Sequence, residues 1–174
     1  DIIGQTNNQA IQVLSASSCV TFPGFDASSL PKWSRNRCVA QIERAKEFIA
    51  QSDKIVLAGK WTYMHRGKNF IQGFRQFLED TGRQNKEVVV LAQVPMFTSD
   101  MQRMQRFSSL GLPTDISIDE RWLPANNLIA NEVRIYPHAK FLDLSGELFF
   151  RDAPFFKDEI IYKDFHHLNE VGAK

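Results

Sequence analysis

Two cysteines in 174 residues, Cys19 and Cys38, are too few to build a metal centre, and their spacing fits no zinc pattern. No apolar run approaches the roughly 18–20 residues that a membrane-spanning helix needs. The first residues carry no charged-then-apolar secretory leader. An excess of either charge is also lacking. With 21 Lys and Arg against 20 Asp and Glu the net charge is +1, which gives no electrostatic case for nucleic acid or a polyanionic surface. There is no internal repeat and no low-complexity tract. What is present is ordinary for a globular chain: 43% hydrophobic and 24% charged residues, in a length that suits one domain over residues 1–174 with a substantial core.

The apolar pattern alternates between two periods. Ile11 to Leu14 is short, β-branched at its start and bounded by polar residues, which predicts a strand. Residues 15–32, rich in Ser and Pro, form a long loop with a turn at Pro23-Gly24. Val39, Ile42, Ala45 and Ile49 recur at near-helical spacing and predict a helix over about 35–51. The continuous runs Ile55–Ala58 and Val88–Ala92 suit strands buried on both faces of a parallel sheet. Between them, Phe70, Ile71, Phe74, Phe77 and Leu78 mark an amphipathic helix over 67–82 with Gly82 as its stop. Met96, Met101, Met104 and Phe107 make the apolar side of a short helix, residues 118–136 a longer one notched at Pro124, and Phe141–Leu144 a last strand. Phe149 to Phe156 is an aromatic-rich loop. Strand and helix in alternation predict an α/β protein, a three-layer α/β/α sandwich around a parallel sheet.

The chemistry is concentrated near the end. Ile160 to Tyr162 reads as a strand end or extended arm that delivers Asp164 and His167, spaced i, i+3. In a turn or first helical turn such side chains share a face. A carboxylate there accepts the imidazole Nδ1–H, fixes the tautomer and leaves Nε2 free to take a proton from a nucleophile. The competing interpretation is a solvated turn, since D-x-x-H recurs by chance. His166 is the rival to His167; Leu168, predicted to open a helix, and the small pair Gly172-Ala173 favour His167. Asp164, His166 and His167 lack the E-x-x-H or paired-cysteine context of a metal site, so no metal and no cofactor is expected. Cys19 and Cys38 either pair, as in an oxidising compartment, or remain two buried thiols of a cytosolic protein.

Tyr162-Lys-Asp-Phe-His-His-Leu-Asn-Glu-Val-Gly-Ala173 resembles the last block of the SGNH hydrolase superfamily, D-x-x-H-L followed by G-A. It is most similar to the SGNH domains fused to multi-spanning membrane acyltransferases that O-acylate bacterial cell-surface sugars. Ser18-Cys-Val-Thr-Phe-Pro23, Ile55-Val-Leu-Ala-Gly-Lys-Trp61 and Leu91-Ala-Gln-Val-Pro95 resemble further blocks of that family, in matching order. The resemblance implies a flavodoxin-like parallel sheet and a Ser-His-Asp mechanism, with His167 as base and then acid and Asp164 as its orienting partner. It implies an acyl donor and a cell-surface glycan acceptor as partners, no nucleic acid, and a parent with an N-terminal membrane acyltransferase domain. The domain would lie on the periplasmic face of a bacterial inner membrane, with Cys19 and Cys38 bridged.

By the same resemblance the backbone N–H of Gly59 is the oxyanion candidate, with a close-packing glycine as the alternative. Trp61 either lines the substrate pocket or fills the core. The family's Gly-x-Asn-Asp donor is not evident; Ala58-Gly-Lys-Trp61 stands in its region. The family's nucleophile lies in a Gly-Asp-Ser block, which this chain does not contain. Asp1-Ile-Ile-Gly-Gln resembles the tail of the helix that follows that block, so the nucleophile and first strand are expected upstream, and this chain alone is expected to be inactive. Ser15, Ser17 and Ser18 do not match its place. Lys60 and Arg66 are cations that can contact an acidic sugar or stay solvated; His65 and His138 read as surface residues, and Asn126 and Asn127 as a polar helix face. A non-catalytic carbohydrate-binding or accessory module is the alternative function.

Overall fold

Runs of β-branched residues form a strand only where a neighbouring strand completes their hydrogen bonds. A computed structural model describes residues 10–173 of the chain. Three segments there find partners, the first two rich in Val and Ile: β1 (Lys54–Leu57), β2 (Glu87–Leu91) and β3 (Ala139–Leu142), all parallel in the order β1-β2-β3. Three long helices lie between or before them: α1 (Lys32–Gln51), α3 (Phe70–Arg83) and α5 (Trp122–Val133). Shorter helices are α2 (Trp61–Met64), α4 (Met101–Ser109) and α6 (Leu148–Arg151). Phe155–Phe156 (β4) and Glu159–Ile160 (β5) form a small antiparallel pair before the terminal block. The fold is α/β, a parallel sheet flanked by helices, as the alternating pattern predicts.

The core follows the two periodicities. From the sheet, Leu57, Val88, Val90 and Ala139 join Cys38 and Ile42 of α1, Phe70, Phe74, Phe77 and Leu78 of α3, and Ala125, Ile129 and Val133 of α5. Arg75 of α3 donates to Glu132 of α5 through two bonds of 2.6 and 2.8 Å, tying the two helices side by side. The Cys19–Cys38 disulfide fastens the loop before α1 to that helix, and Val20 and Phe22 follow it into the core. A second cluster, Phe97, Met101, Phe150, Ile161 and Tyr162, lies under the terminal block.

Several elements depart from expectation. Ile11–Leu14 is not a strand: these residues pair with nothing described, and Gln12, Val13 and Leu14 share a shallow hollow with Gln41, Arg44 and Phe48 of α1, with Val13 exposed. A four-residue segment, three of them apolar, does not hold a strand without a ladder partner. In α1, Cys38 rather than Val39 faces inward, because the disulfide fixes that side of the helix. Gly82 does not stop α3; it sits in the last turn, where a Cβ would lie 2.6 Å from the His138 ring. Pro124 occupies the first turn of α5, where a missing N–H costs nothing, and leaves no notch. The strand expected at Phe141–Leu144 begins two residues earlier, at Ala139. Leu168 does not open a helix: it bridges Tyr162, and the Asn169 carboxamide accepts from Val171 N–H and Gly172 N–H to shape a turn. The helix tail expected at Asp1–Gln5 lies outside the described residues.

Candidate active site

The terminal block is a closed loop. Lys163 N–H donates to the His167 carbonyl at 2.8 Å, and the Tyr162–Leu168 bridge seals its base. The loop is anchored from below: Tyr162 Oη–H donates to the Pro95 carbonyl at 3.0 Å, and Phe97 N–H donates to the Phe165 carbonyl at 2.9 Å. Gly172 lies so close to Ile161 that a Cβ there would be 2.3 Å from the Ile161 carbonyl oxygen. The small residue after the histidine pair is therefore a packing requirement.

Within this loop Asp164 turns back on its own successors. Its Oδ1 accepts the N–H groups of His166 and His167, each at 2.8 Å, and its Oδ2 meets His167 Nδ1 at 2.7 Å. Short acidic side chains readily accept from backbone two and three residues on. Burial alone would raise the Asp164 carboxyl; the bonds from the His167 ring and the two N–H groups outweigh it and hold the group down at about 2. The carboxylate is thus ionised at neutral pH, and His167 Nδ1 carries the hydrogen that points at it. Nε2 has no partner among the described residues, and the ring is well exposed.

His166 is the lesser candidate. Its Nδ1 lies 3.4 Å from Asp164 Oδ1 without forming a hydrogen bond, and it is buried. Burial first, then the nearby Lys60 and His167 charges, lower its pKa to about 4 against the pull of Asp164. It is a neutral neighbour, its ring centroid 3.9 Å from that of His167. Asp164, His166 and His167 place ligand atoms within 4.8 Å of one another. Asp164 is already spent on two N–H groups and an imidazole, which does not suit a cation.

The other predicted residues separate. Gly59 follows β1 and packs tightly: a Cβ would be 3.0 Å from both the Trp61 ring and Val20. Its N–H donates to no described residue. Trp61 is fully buried in the main core, and its Nε1–H donates to the Leu91 carbonyl at 2.8 Å, so its indole supports the ends of β1 and β2. His65 rests on the Trp61 carbonyl, and His138 is half-buried against α3 rather than on the surface. Arg66 is exposed in the turn after α2. Ser17 and Ser18 sit in the tight Ala16–Cys19 turn, and no described serine bonds the His167 ring.

Two groups were not legible as site residues. Asn126 is not on a polar face: it is buried, accepts Gln93 N–H at 2.9 Å and donates to the Gln93 carbonyl at 2.9 Å. Gln93 Oε1 in turn accepts Thr62 N–H and Oγ1–H. This network fixes the segment after β2 on which the Asp164 loop stands. Asp119 and Arg121 form a bidentate pair beside a recess of about 390 Å³ lined by Phe97, Thr98, Asp119, Arg121 and Phe165. Lys60 reaches the same region, its Nζ 5.3 Å from the Phe165 ring centroid. The sequence signal for Asp119 and Arg121 was only an acid and a base two apart before a helix, whereas Lys60 was named from the sequence as a cation that can contact an acidic sugar.

The SGNH domain (fused to AT3 domains) family model matches residues 1–174, the whole chain. The chain belongs to that family. Its SGNH fold also resembles the solved structure titled as a Salmonella ser. Paratyphi A lipopolysaccharide acetyltransferase periplasmic domain, with a TM-score of 0.52 and 12% identity over 81% of this chain. The SGNH domain spans 58% of that neighbour's length. No curated protein sequence matches it. Membership in a family fused to AT3 domains gives the SGNH domain an acyltransferase-associated role. No helix among its described residues is long and apolar enough to cross a membrane.

Proposed function

We propose that this SGNH domain carries the acid–base half of an O-acyltransferase or esterase site acting on acyl esters, acetyl first among them, of cell-surface glycans. The observation that carries this reading is the Asp164–His167 pair: Nδ1 held at 2.7 Å by an ionised carboxylate, Nε2 open to solvent. The nucleophile is a serine from a segment of the parent protein preceding this chain. His167 Nε2 takes the proton from that hydroxyl as its oxygen bonds the acyl carbon; Asp164 stabilises the imidazolium. The proton then goes to the departing oxygen, leaving the acyl group on serine. An incoming glycan hydroxyl, or water, loses its proton to His167 and takes the acyl group, and the serine oxygen recovers the proton. Gly59 N–H is offered as an oxyanion donor; removing one such donor typically costs about 3 kcal/mol of barrier. The domain works on the periplasmic side of a membrane acyltransferase parent, with the disulfide in keeping with an oxidising compartment.

The test is aryl-acetate hydrolysis and acyl transfer by the parent protein with and without His167→Ala. Loss of turnover by about a thousandfold or more, with folding retained, is expected. Unchanged turnover in His167→Ala sinks the assignment, and no turnover in a folded wild-type parent points instead to a binding or accessory module.

A further inference from the structure

The recess beside the dyad has an uneven distribution of satisfied charge. Asp119 is buried and saturated: Arg121 Nε donates to both its oxygens, Arg121 Nη2 donates to Oδ2, and Arg121 N–H adds a bond at 3.2 Å. Asp164 is likewise saturated by two N–H groups and the His167 ring. Lys60 feels the charge of both carboxylates and is claimed by neither: among the described residues its ammonium has no hydrogen-bond acceptor and no ion-pair partner, only the Phe165 ring. Burial pulls its pKa down; Asp164 and Asp119 pull it up, and Arg121 pushes it down again. A partly desolvated cation without a counter-ion is unfavourable unless a ligand supplies the anion. Arg121, immobilised by Asp119 through Nε and Nη2, is 69% exposed and keeps Nη1 for a second partner. A fixed guanidinium fork suits carboxylate and phosphate oxygens. Phe97 and Phe165 supply apolar wall, and Phe165 is the residue between Asp164 and His166, so a ligand in the recess lies next to His167.

We propose that the recess is an anion-holding subsite: Lys60 and Arg121 bind the carboxylate or phosphate of an acidic glycan unit and bring one of its hydroxyls or acyl esters toward His167. The subsite rests on the acyl-transfer reading for its purpose but not for its binding. Its chemistry is common to two sources, a uronic acid and a sugar phosphate, and separate probes tell them apart.

The experiment is calorimetric and NMR titration of the parent protein, the same protein in which turnover is measured, with methyl glucuronate, glucose 6-phosphate and neutral methyl glucoside. The expected result is at least tenfold tighter binding of one acidic sugar than of the glucoside, weakening with added salt, with shifts at Phe165, Lys60 and Arg121. The tighter of the two acidic probes names the source. Lys60→Met is expected to weaken that binding at least fivefold and Lys60→Arg to restore most of it. Asp119→Asn with Arg121→Gln, which removes both charges without stranding a buried carboxylate, is expected to weaken it similarly. Equal affinity for acidic and neutral sugars, or acidic binding unchanged in Lys60→Met, overturns the subsite. His167→Ala separates the two readings. It is expected to retain acidic-sugar binding while losing turnover. Binding without any wild-type turnover leaves the subsite standing and removes the acyl-transfer reading, and turnover without selective binding does the reverse.

Discussion

Breaking the Cys19–Cys38 bridge is expected to cost the domain a large share of its stability. The two cysteines are 19 residues apart, with Cα atoms 5.6 Å from each other. Closing a loop of that length removes about 11 cal/mol/K of unfolded-chain entropy, or ~3 kcal/mol at 25 °C in the chain-entropy model. Against a typical stability of about 5–15 kcal/mol that is a substantial fraction. The local consequence reaches the candidate site, because Cys19 holds Val20 in the core, against Gly59 at the end of β1. The perturbation is Cys19→Ala with Cys38→Ala; alanine is chosen because Cys38 is fully buried and a serine hydroxyl would be left unpaired there. In urea, with a slope of roughly 2–3 kcal/mol/M for a chain of this size, the midpoint is expected to fall by about 1–1.5 M. Wild type treated with reductant is expected to match the variant. A midpoint that moves by less than about 0.3 M in both would refute the tether as a stabilising device, and free thiols in the unreduced protein would refute the bridge itself.

Gly172→Val puts a side chain into the Ile161 carbonyl, where even a Cβ would be 2.3 Å away; a loss of ~1–3 kcal/mol is expected in denaturant melts, with a matching displacement of His167 resonances. Asn126→Ala strands the N–H and carbonyl of Gln93, and thermal melts are expected to show a loss of about 2–4 kcal/mol from these two buried groups. Acid stability follows from His166, whose folded pKa of about 4 lies below its unfolded value. The unfolded chain therefore takes up the proton first, so the contribution is complete above roughly pH 6.5 and is lost as pH falls toward 4. Asp164, depressed to about 2, adds a further loss below the ordinary carboxylate range. Melts of His166→Phe against wild type are expected to show a flatter profile between pH 6.5 and 4; parallel profiles would contradict the burial of a neutral imidazole.

The strands at 54–57 and 87–91, the helices over 32–51 and 70–83 and the Asp164–His167 pair were readable in advance, because each rests on spacing within a few residues. Apolar runs and i, i+3 or i, i+4 recurrence need no knowledge of the rest of the chain. Ile11–Leu14 shows where such reasoning fails. Its residues have strand propensity, but a strand is a property of two segments, and no described neighbour pairs with it. Gly82 fails for a similar reason: its composition suits a helix stop, yet its place is decided by His138, 56 residues away in sequence.

The dyad is local chemistry. Asp164 needs only the next three residues to fold its carboxylate onto His167, so the order of amino acids suffices to specify it. The recess is the opposite case. Lys60 comes from the end of β1, Phe97 from beyond β2, Asp119 and Arg121 from the approach to α5, and Phe165 from the terminal loop. No spacing rule links these positions. Parallel strands end on the same side of a sheet, so the segments that follow them are brought together there, and only that convergence brings the Lys60 ammonium to the Phe165 wall of the recess.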